Sequence, residues 1–419
     1  MHVNAHADVD VVAVEAEDQV TVMLELEAPT APDSAPRAAA TVQVVLDRSG
    51  SMSGERLDAA KEALVRLVDR LDPADRFGVV AFDDEVQVVV PAGGLANKHA
   101  AQHAIASLLP GGMTNLSAGL LRGMQEARRV ATDGGATVLL LSDGHANAGE
   151  VDAQRLADVA AGARRHGITT TTVGIGMDYD ELLLSEVARG GQGSHVFAEH
   201  GDGAAAAVAG EVEGLLTKTV QAASLIIRPN AAVDTVTVWN DLPGHPIDGG
   251  IMVELGDLWA GEQRKLVITF AVPAKPVLGL AQIAELEVRY VALRAMAEQT
   301  ITLPIHVNVV PGDQAAGRIP DAKVRTELVY QQVQDAKRKA ADALRDGDHD
   351  RAQSAYRAAR VQLDDAIAAC PAPELDEELR ILGELSDRVA DGDAMWSAKF
   401  SRMDQAGKSR KRGRGDLGV

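Results

Sequence analysis

Apolar and polar residues alternate over residues 9–14 and again over 20–26, the period of two expected of antiparallel strands with one wet face. Residues 29–37, PTAPDSAPR, interrupt this pattern as a Pro/Ala-rich linker. From 41 to 216 the pattern changes in kind. Short aliphatic runs at 41–46, 77–82 and 137–141 are apolar nearly throughout, as strands buried on both faces must be. A fourth run, 169–173, reads as a strand through its β-branched residues. Amphipathic stretches of helical period lie between them at 55–71, 99–108, 115–130, 152–166 and 180–188, and a last one fits 203–216. Strands that alternate with helices predict an α/β fold, a Rossmann-like and mostly parallel sheet with helices on both faces.

Residues 219–310 return to strands, at 222–227, 233–239, 251–255, 265–272, 284–291 and 300–310, with turns at 240–244, 248–250 and 273–276. This pattern predicts an all-β sandwich. The N-terminal strands have no partners of their own, and two isolated strands are marginal in water, so they are expected to complete the sandwich. The α/β domain is then an insertion in the β domain. Residues 324–345 and 349–369 are amphipathic helices joined by Asp346-Gly347-Asp348, and 374–400 is a third. One hairpin of this type resembles a tetratricopeptide unit, with no second period behind it. The expected organisation is N-terminal strands and linker over 1–40, the α/β domain over 41–217, the sandwich over 218–312, a helical region over 318–404 and a flexible basic tail over 405–419.

Bulk properties narrow the function classes. A chain of 419 residues is too long for one ordinary domain. Aromatic residues make up 3%, so Ala, Val, Leu and Ile must fill the cores. The net charge of −20 argues against a general nucleic-acid binder. The basic segment 408–415, KSRKRGRG, is a local exception whose charge suits an acidic partner or nucleic acid. A single cysteine, Cys370, can form no internal disulfide, which fits a reducing compartment. No run reaches the roughly 18 apolar residues of a membrane span. The N-terminus MHVNAHADVDVV lacks a basic region followed by an apolar one, so the expected location is cytoplasmic.

The residues that carry chemistry stand at strand ends. The strand TVQVVLD closes on Asp47-Arg48-Ser49-Gly50-Ser51, ahead of a helix, and TVLLLSDG carries Asp143. Between them Pro110-Gly111-Gly112-Met113-Thr114-Asn115 leads into another helix. Ligands of open α/β sheets bind beyond the carboxyl ends of the strands, where these three loops can converge. Two carboxylates and three hydroxyls form an all-oxygen set, better suited to Mg²⁺ or Mn²⁺ than to Zn²⁺. Taken singly, Ser49, Ser51 and Thr114 read as helix caps; it is the whole set, each member at an element end, that points to a metal.

The D-x-S-x-S segment with a distant Thr and a distant Asp resembles the metal-ion-dependent adhesion site of bacterial-type von Willebrand factor type A domains. Here these positions are Asp47, Ser49, Ser51, Thr114 and Asp143, and the resemblance covers about 41–216. Phe82-Asp83-Asp84-Glu85 and Ser142-Asp143-Gly144 are also typical of bacterial members. The resemblance implies that Ser49, Ser51 and Thr114 coordinate Mg²⁺ directly and that Asp47 and Asp143 act largely through waters. It leaves the sixth position for a Glu or Asp of a protein partner.

A non-enzymatic adaptor or scaffold is therefore expected, one that captures an acidic residue of its partner at the bound metal. Intracellular bacterial domains of this kind are often associated with ring-shaped ATPases, and this sequence carries no G-x-x-x-x-G-K-[ST] of its own, so an ATPase would be a separate subunit. Two other readings remain. A Mg²⁺-dependent phosphohydrolase of the phosphoryl-aspartate class would need a second acid two residues after Asp47, where Ser49 stands. A secreted adhesin would need an export signal. Among weaker features, His99 and His103 share a helix face that reads as solvated, and His145 is a candidate to line the metal site.

Overall fold

Why the first sheet forms where it does is visible in burial along its strands. In the computed structural model, β4 (Thr41–Asp47), β7 (Ala136–Ser142) and β8 (Ile168–Ile175) are buried at every position. Alternate side chains of each strand feed two cores. Val42, Val44 and Leu46 pack with Leu57, Leu64 and Val68 of α1 (Glu55–Arg70) and Ile105 of α2 (Lys98–Ala106). Val45, Val138 and Leu140 pack with Leu116 and Leu120 of α3 (Leu116–Val130), Leu156 of α4 (Ala153–Arg164) and Leu183 of α5 (Glu181–Gly190). The sheet also takes in β5 (Arg76–Phe82), β6 (Val86–Gly94) and β9 (Gln192–Ala198), in the order β6-β5-β4-β7-β8-β9. All neighbours are parallel except β6, which pairs antiparallel with β5. This is the α/β fold expected from the sequence. The structure describes the chain apart from residues 15, 31–38, 133, 144–145, 177–178, 199–207, 211–213, 215, 232, 275–277 and 410–419. Most of the expected linker 29–37 and of the expected helix 203–216 lies outside the described residues.

Two further sheets share one core. The first has four strands: β1 (His2–Ala7), β3 (Asp18–Glu27), β14 (Gln263–Val272) and β11 (Thr235–Val238), in that order. The second has six, in the order β12 (Gly244–Ile247), β13 (Gly250–Trp259), β10 (Lys218–Pro229), β15 (Gly279–Ala292), β16 (Ala297–Val310) and β2 (Val11–Ala13). Val20, Val22, Leu24 and Leu26 of β3 face Leu225, Ile227, Leu286 and Val288 across that core. The segment 9–14, read as one strand, contributes only the three residues of β2, parallel to β16. β3 pairs antiparallel with β14 on one side and, on the other, with β1, a strand with no counterpart in the sequence reading.

The C-terminal helices are α6 (Ala322–Arg345), α7 (His349–Ala369), α8 (Pro373–Ala390) and α9 (Ala394–Ser409). The stretch read as one helix over 374–400 is thus two. They break at Asp391-Gly392-Asp393, where Gly392 has φ +94°, a conformation that favours glycine. It is the same tripeptide as the turn at 346–348, where Gly347 has φ +77°. Residues 405–409, read as the start of a mobile tail, continue α9. Gln405 and Ser409 are buried there, and Lys408 pairs with Glu378 at 2.7 Å and Asp404 at 2.8 Å. Charge taken up inside the bundle cannot serve a tail.

The three parts are joined by buried polar contacts. Asp257 on β13 accepts hydrogen bonds from Arg164 Nη2 (3.0 Å), Lys218 Nζ (3.2 Å), Thr169 Oγ1 (3.2 Å) and the Ala222 amide (3.0 Å). Arg164 ends α4 and Thr169 opens β8, so the sandwich meets the α/β sheet at the amino ends of its strands. In α9, Lys399 donates to the Tyr179 carbonyl at 2.9 Å and Arg402 to Glu186 at 2.9 Å, while Asn240 of the sandwich donates to the Ser409 carbonyl at 2.6 Å. Among the described residues, no helix is long and apolar enough to cross a membrane.

Candidate metal centre

At the opposite, carboxyl end of the sheet, β4 leaves Asp47 fully buried, and the chain turns through a short 3-10 helix, Gly50–Met52, into α1. The Asp47 carboxylate is used twice. One oxygen accepts the Ser49 amide at 2.8 Å and the other the Ser142 hydroxyl at 2.6 Å. Ser49 Oγ lies 3.2 Å from Ser51 Oγ, and Ser51 Oγ donates to Asp143 Oδ1 at 2.9 Å. Four of the five sequence candidates are thus one connected cluster.

Thr114, the fifth, is buried in the adjoining loop. That loop is tied to the serine segment by two backbone bonds, Gly111 N to Arg48 O at 2.7 Å and Gly50 N to Gly112 O at 3.0 Å. Asn147 brackets Thr114, its side chain accepting the Thr114 amide at 2.8 Å and its own amide donating to the Thr114 carbonyl at 3.1 Å. Gly111 is constrained by close approach, since a Cβ there would stand 1.7 Å from Asp83 Oδ2; one on Gly112 would stand 2.0 Å from Asp84 Oδ1, the tip of an exposed side chain that can swing aside. Asp83 cannot easily retreat, because it accepts the Glu85 amide at 2.8 Å and pairs with Arg48 at 3.2 Å. We expect Gly111→Ala to push this loop away, weaken divalent-metal binding at least about tenfold and cost about 1–3 kcal/mol of stability. Calorimetric titration and thermal melts check this, and a wild-type metal affinity in the variant would contradict it.

Two carboxylates buried side by side are electrostatically unfavourable without a cation. Burial pushes the Asp47 carboxyl up to about 6, against hydrogen bonds from Ser142 and Ser49 that hold it down, and the Asp143 charge raises it further. The residues present fit a magnesium-type ion. Magnesium holds oxygens at about 2.0–2.1 Å in an octahedron, which sets neighbouring ligand oxygens about 3.0 Å apart. The oxygen pairs Ser49–Ser51 and Ser51–Asp143, at 3.2 and 2.9 Å, match that edge. Among the described residues, no group of three or more His, Cys, Asp and Glu could hold a metal.

Three residues of the site had no role in the sequence reading. They are Ser142, Asn147 and Arg56, whose Nη1 lies 2.6 Å from Asp143 Oδ2 and whose position in the sequence marks only a helix. Nothing in a single sequence marks Arg56 or Asn147, since each acts across 87 and 33 residues of chain. His145 lies outside the described residues. His99 and His103 stand exposed on α2, away from the cluster.

Comparison with known proteins agrees with the fold. The sequence model of the von Willebrand factor type A domain matches residues 42–207. The chain is 31% identical over 255 residues to the uncharacterized protein sll0103 of Synechocystis, covering 57% of this chain and 60% of that one. It is 29% identical over 168 residues to inter-alpha-trypsin inhibitor heavy chain H1 of Mesocricetus auratus, covering 37% of this chain and 18% of that protein. The match spans less than two thirds of the length of either relative. Among solved structures, a von Willebrand factor type A protein from Catenulispora acidiphila superposes with a TM-score of 0.73 over 95% of this chain and 96% of that one, at 19% identity. That likeness concerns the fold, and it extends across the sandwich and the helices as well as the α/β sheet. Residues 42–207, with six strands flanked by helices and their acidic loops at the carboxyl end, form a von Willebrand factor type A domain.

Proposed function

We propose that the chain is a metal-dependent protein-binding module, in which Asp47, Ser49, Ser51, Thr114 and Asp143 hold Mg²⁺ or Mn²⁺ and the loaded site captures a Glu or Asp of a protein partner. The observation that carries this reading is the cluster in which two buried carboxylates are linked at 2.6–3.2 Å to the hydroxyls of Ser49, Ser51 and Ser142 and the Ser49 amide, with Ser51 at its exposed edge. Domains of this family are generally interaction modules known for metal-dependent protein–protein contact. A bound dication would supply a coordination position open to a partner's carboxylate oxygen. The protein's part is to hold the serine hydroxyls and the Thr114 loop in place and to shield Asp47 and Asp143 from bulk water.

The position of Asp47 supports binding over phosphoryl chemistry. It is fully buried, and its oxygens are held by the Ser49 amide and the Ser142 hydroxyl rather than exposed for in-line attack on a phosphoryl group. Ser49 stands where a hydrolase of the phosphoryl-aspartate class needs its general acid. The net charge of −20 does not oppose an acidic partner, because surface charge is screened over about 8 Å at physiological salt while a bound ion acts at contact range. A separate ring-ATPase subunit is the partner class we favour, and a cytoplasmic location goes with it. The test is retention of partners from the host's lysate on the immobilised chain in Mg²⁺ and in chelator. Partners released by chelator and competed by an acidic peptide are the expected result. Retention that ignores chelator would overturn the reading.

A further inference from the structure

We propose that Arg56 sets the balance of the site between metal and anion, lowering its affinity for the divalent ion and raising the affinity of the loaded site for a carboxylate. This rests on the metal-dependent reading above. Arg56 lies in the first turn of α1 and its guanidinium reaches back to the cluster, with Nη1 2.6 Å from Asp143 Oδ2. The other oxygen of the same carboxylate accepts the Ser51 hydroxyl at 2.9 Å. One buried carboxylate is thus shared between a fixed cation and the hydroxyl side of the site.

The berth of that cation is built. Gly176 follows the carboxyl end of β8 with φ +78°, and a Cβ there would meet the Arg56 Cζ at 3.1 Å. The Arg56 side chain is 33% exposed while that of Asp143 is 0% exposed, so the guanidinium spans from the buried carboxylate to the solvent at the mouth of the site.

Charge decides the direction of the effects. Among the described residues, Asp47 and Asp143 bring two negative charges to the cluster and the Arg56 guanidinium brings one positive charge against Asp143. Arg48 and Asp83 form a pair at 3.2 Å that adds no net charge. Asp84 is exposed and screened, and it acts equally on the wild type and on any Arg56 variant. Loss of the guanidinium leaves the site one charge more negative, whether or not a dication is bound. Removing the guanidinium therefore strengthens metal binding and weakens capture of an anion. A residue that merely braced Asp143 would weaken both.

The test uses the full chain with Mn²⁺ as the metal probe and acetate as the carboxylate probe. Mn²⁺ affinity is read by calorimetry. Acetate is read as loss of the water-proton relaxation enhancement of bound Mn²⁺. We expect Arg56→Gln to tighten Mn²⁺ binding about five- to tenfold and to raise the acetate concentration for half-displacement by a similar factor, an effect reduced from its buried value by the exposure of the guanidinium. Arg56→Met, a second charge-removing variant, moves both constants the same way, and Arg56→Lys stays within about threefold of wild type. Mn²⁺ and acetate constants unchanged within twofold in both charge-removing variants would overturn the inference, as would both weakening together. Wild-type protein that binds no Mn²⁺ overturns the metal-dependent reading itself, and this inference with it. Those outcomes are distinguishable.

Discussion

Asp47→Ala is expected to abolish measurable Mg²⁺ and Mn²⁺ binding, at least about a hundredfold loss, while the domain stays folded. Two effects set the size of the loss. A unit charge about 5 Å from a dication, at an effective dielectric of about 20, contributes several kcal/mol to its binding. The same carboxylate fixes the Ser49 amide at 2.8 Å and the Ser142 hydroxyl at 2.6 Å, so its removal also loosens the donor set. Stability responds less. Loss of two hydrogen bonds to a charged acceptor costs about 1.5–3 kcal/mol each, but the variant also loses a buried charge that burial and Asp143 both disfavour. The remainder is expected to be no more than about 2 kcal/mol. Asp47→Asn separates charge from geometry: it keeps an acceptor for Ser49 and should still lose the metal. Equal calorimetric binding of Mg²⁺ by wild type and either variant would remove the basis of the site.

Asp257→Ala is expected to cost about 3–5 kcal/mol and to loosen the sandwich from the α/β domain. Burial by itself would raise the Asp257 pKa, but Lys218 and Arg164 outweigh it and hold the carboxyl well below the usual carboxylate range. Removing one member of a buried ion cluster leaves the others uncompensated, and that is where the large cost arises. Arg164 keeps its bond to Gln192 at 2.7 Å and Lys218 its bond to the Gly134 carbonyl at 2.9 Å, which places the expected cost toward the lower end. The sign of the pH dependence follows from the depressed folded pKa. This stability is fully present above the unfolded carboxyl value of about 4 and is lost as the pH falls from there toward the folded value. Denaturant unfolding followed by tryptophan fluorescence should shift to a lower midpoint and split into two steps. A loss under about 1 kcal/mol with a single transition would show that packing, not this cluster, joins the parts.

The α/β domain was legible because its strands are buried on both faces. Such strands need apolar runs, and the runs at 41–46, 77–82 and 137–141 are unmistakable. Strands that are only half-buried left weaker marks. β6, whose valines are only partly buried and whose run is broken by Gln87 and Pro91, and β9, with polar Gln192, Ser194 and His195, were not foreseen. In the helical region the Asp-Gly-Asp turn at 346–348 was recognised and the identical one at 391–393 was not, because the apolar period runs on through it. A helical period reports a face; it does not report where that face bends.

The sequence by itself placed an all-oxygen set of side chains, Asp47, Ser49, Ser51, Thr114 and Asp143, at element ends where a parallel sheet collects its loops. Local spacing fixes that much, because a strand end and the helix start after it are neighbours in the chain. What the tertiary structure alone decided is which groups surround those five. Arg56 reaches Asp143 across 87 residues, Ser142 reaches Asp47 across 95, and Asp257 gathers Arg164, Thr169 and Lys218 from two domains. Contacts of that range follow from the order and twist of the strands, and pairing energy between distant side chains leaves no periodic trace along the chain.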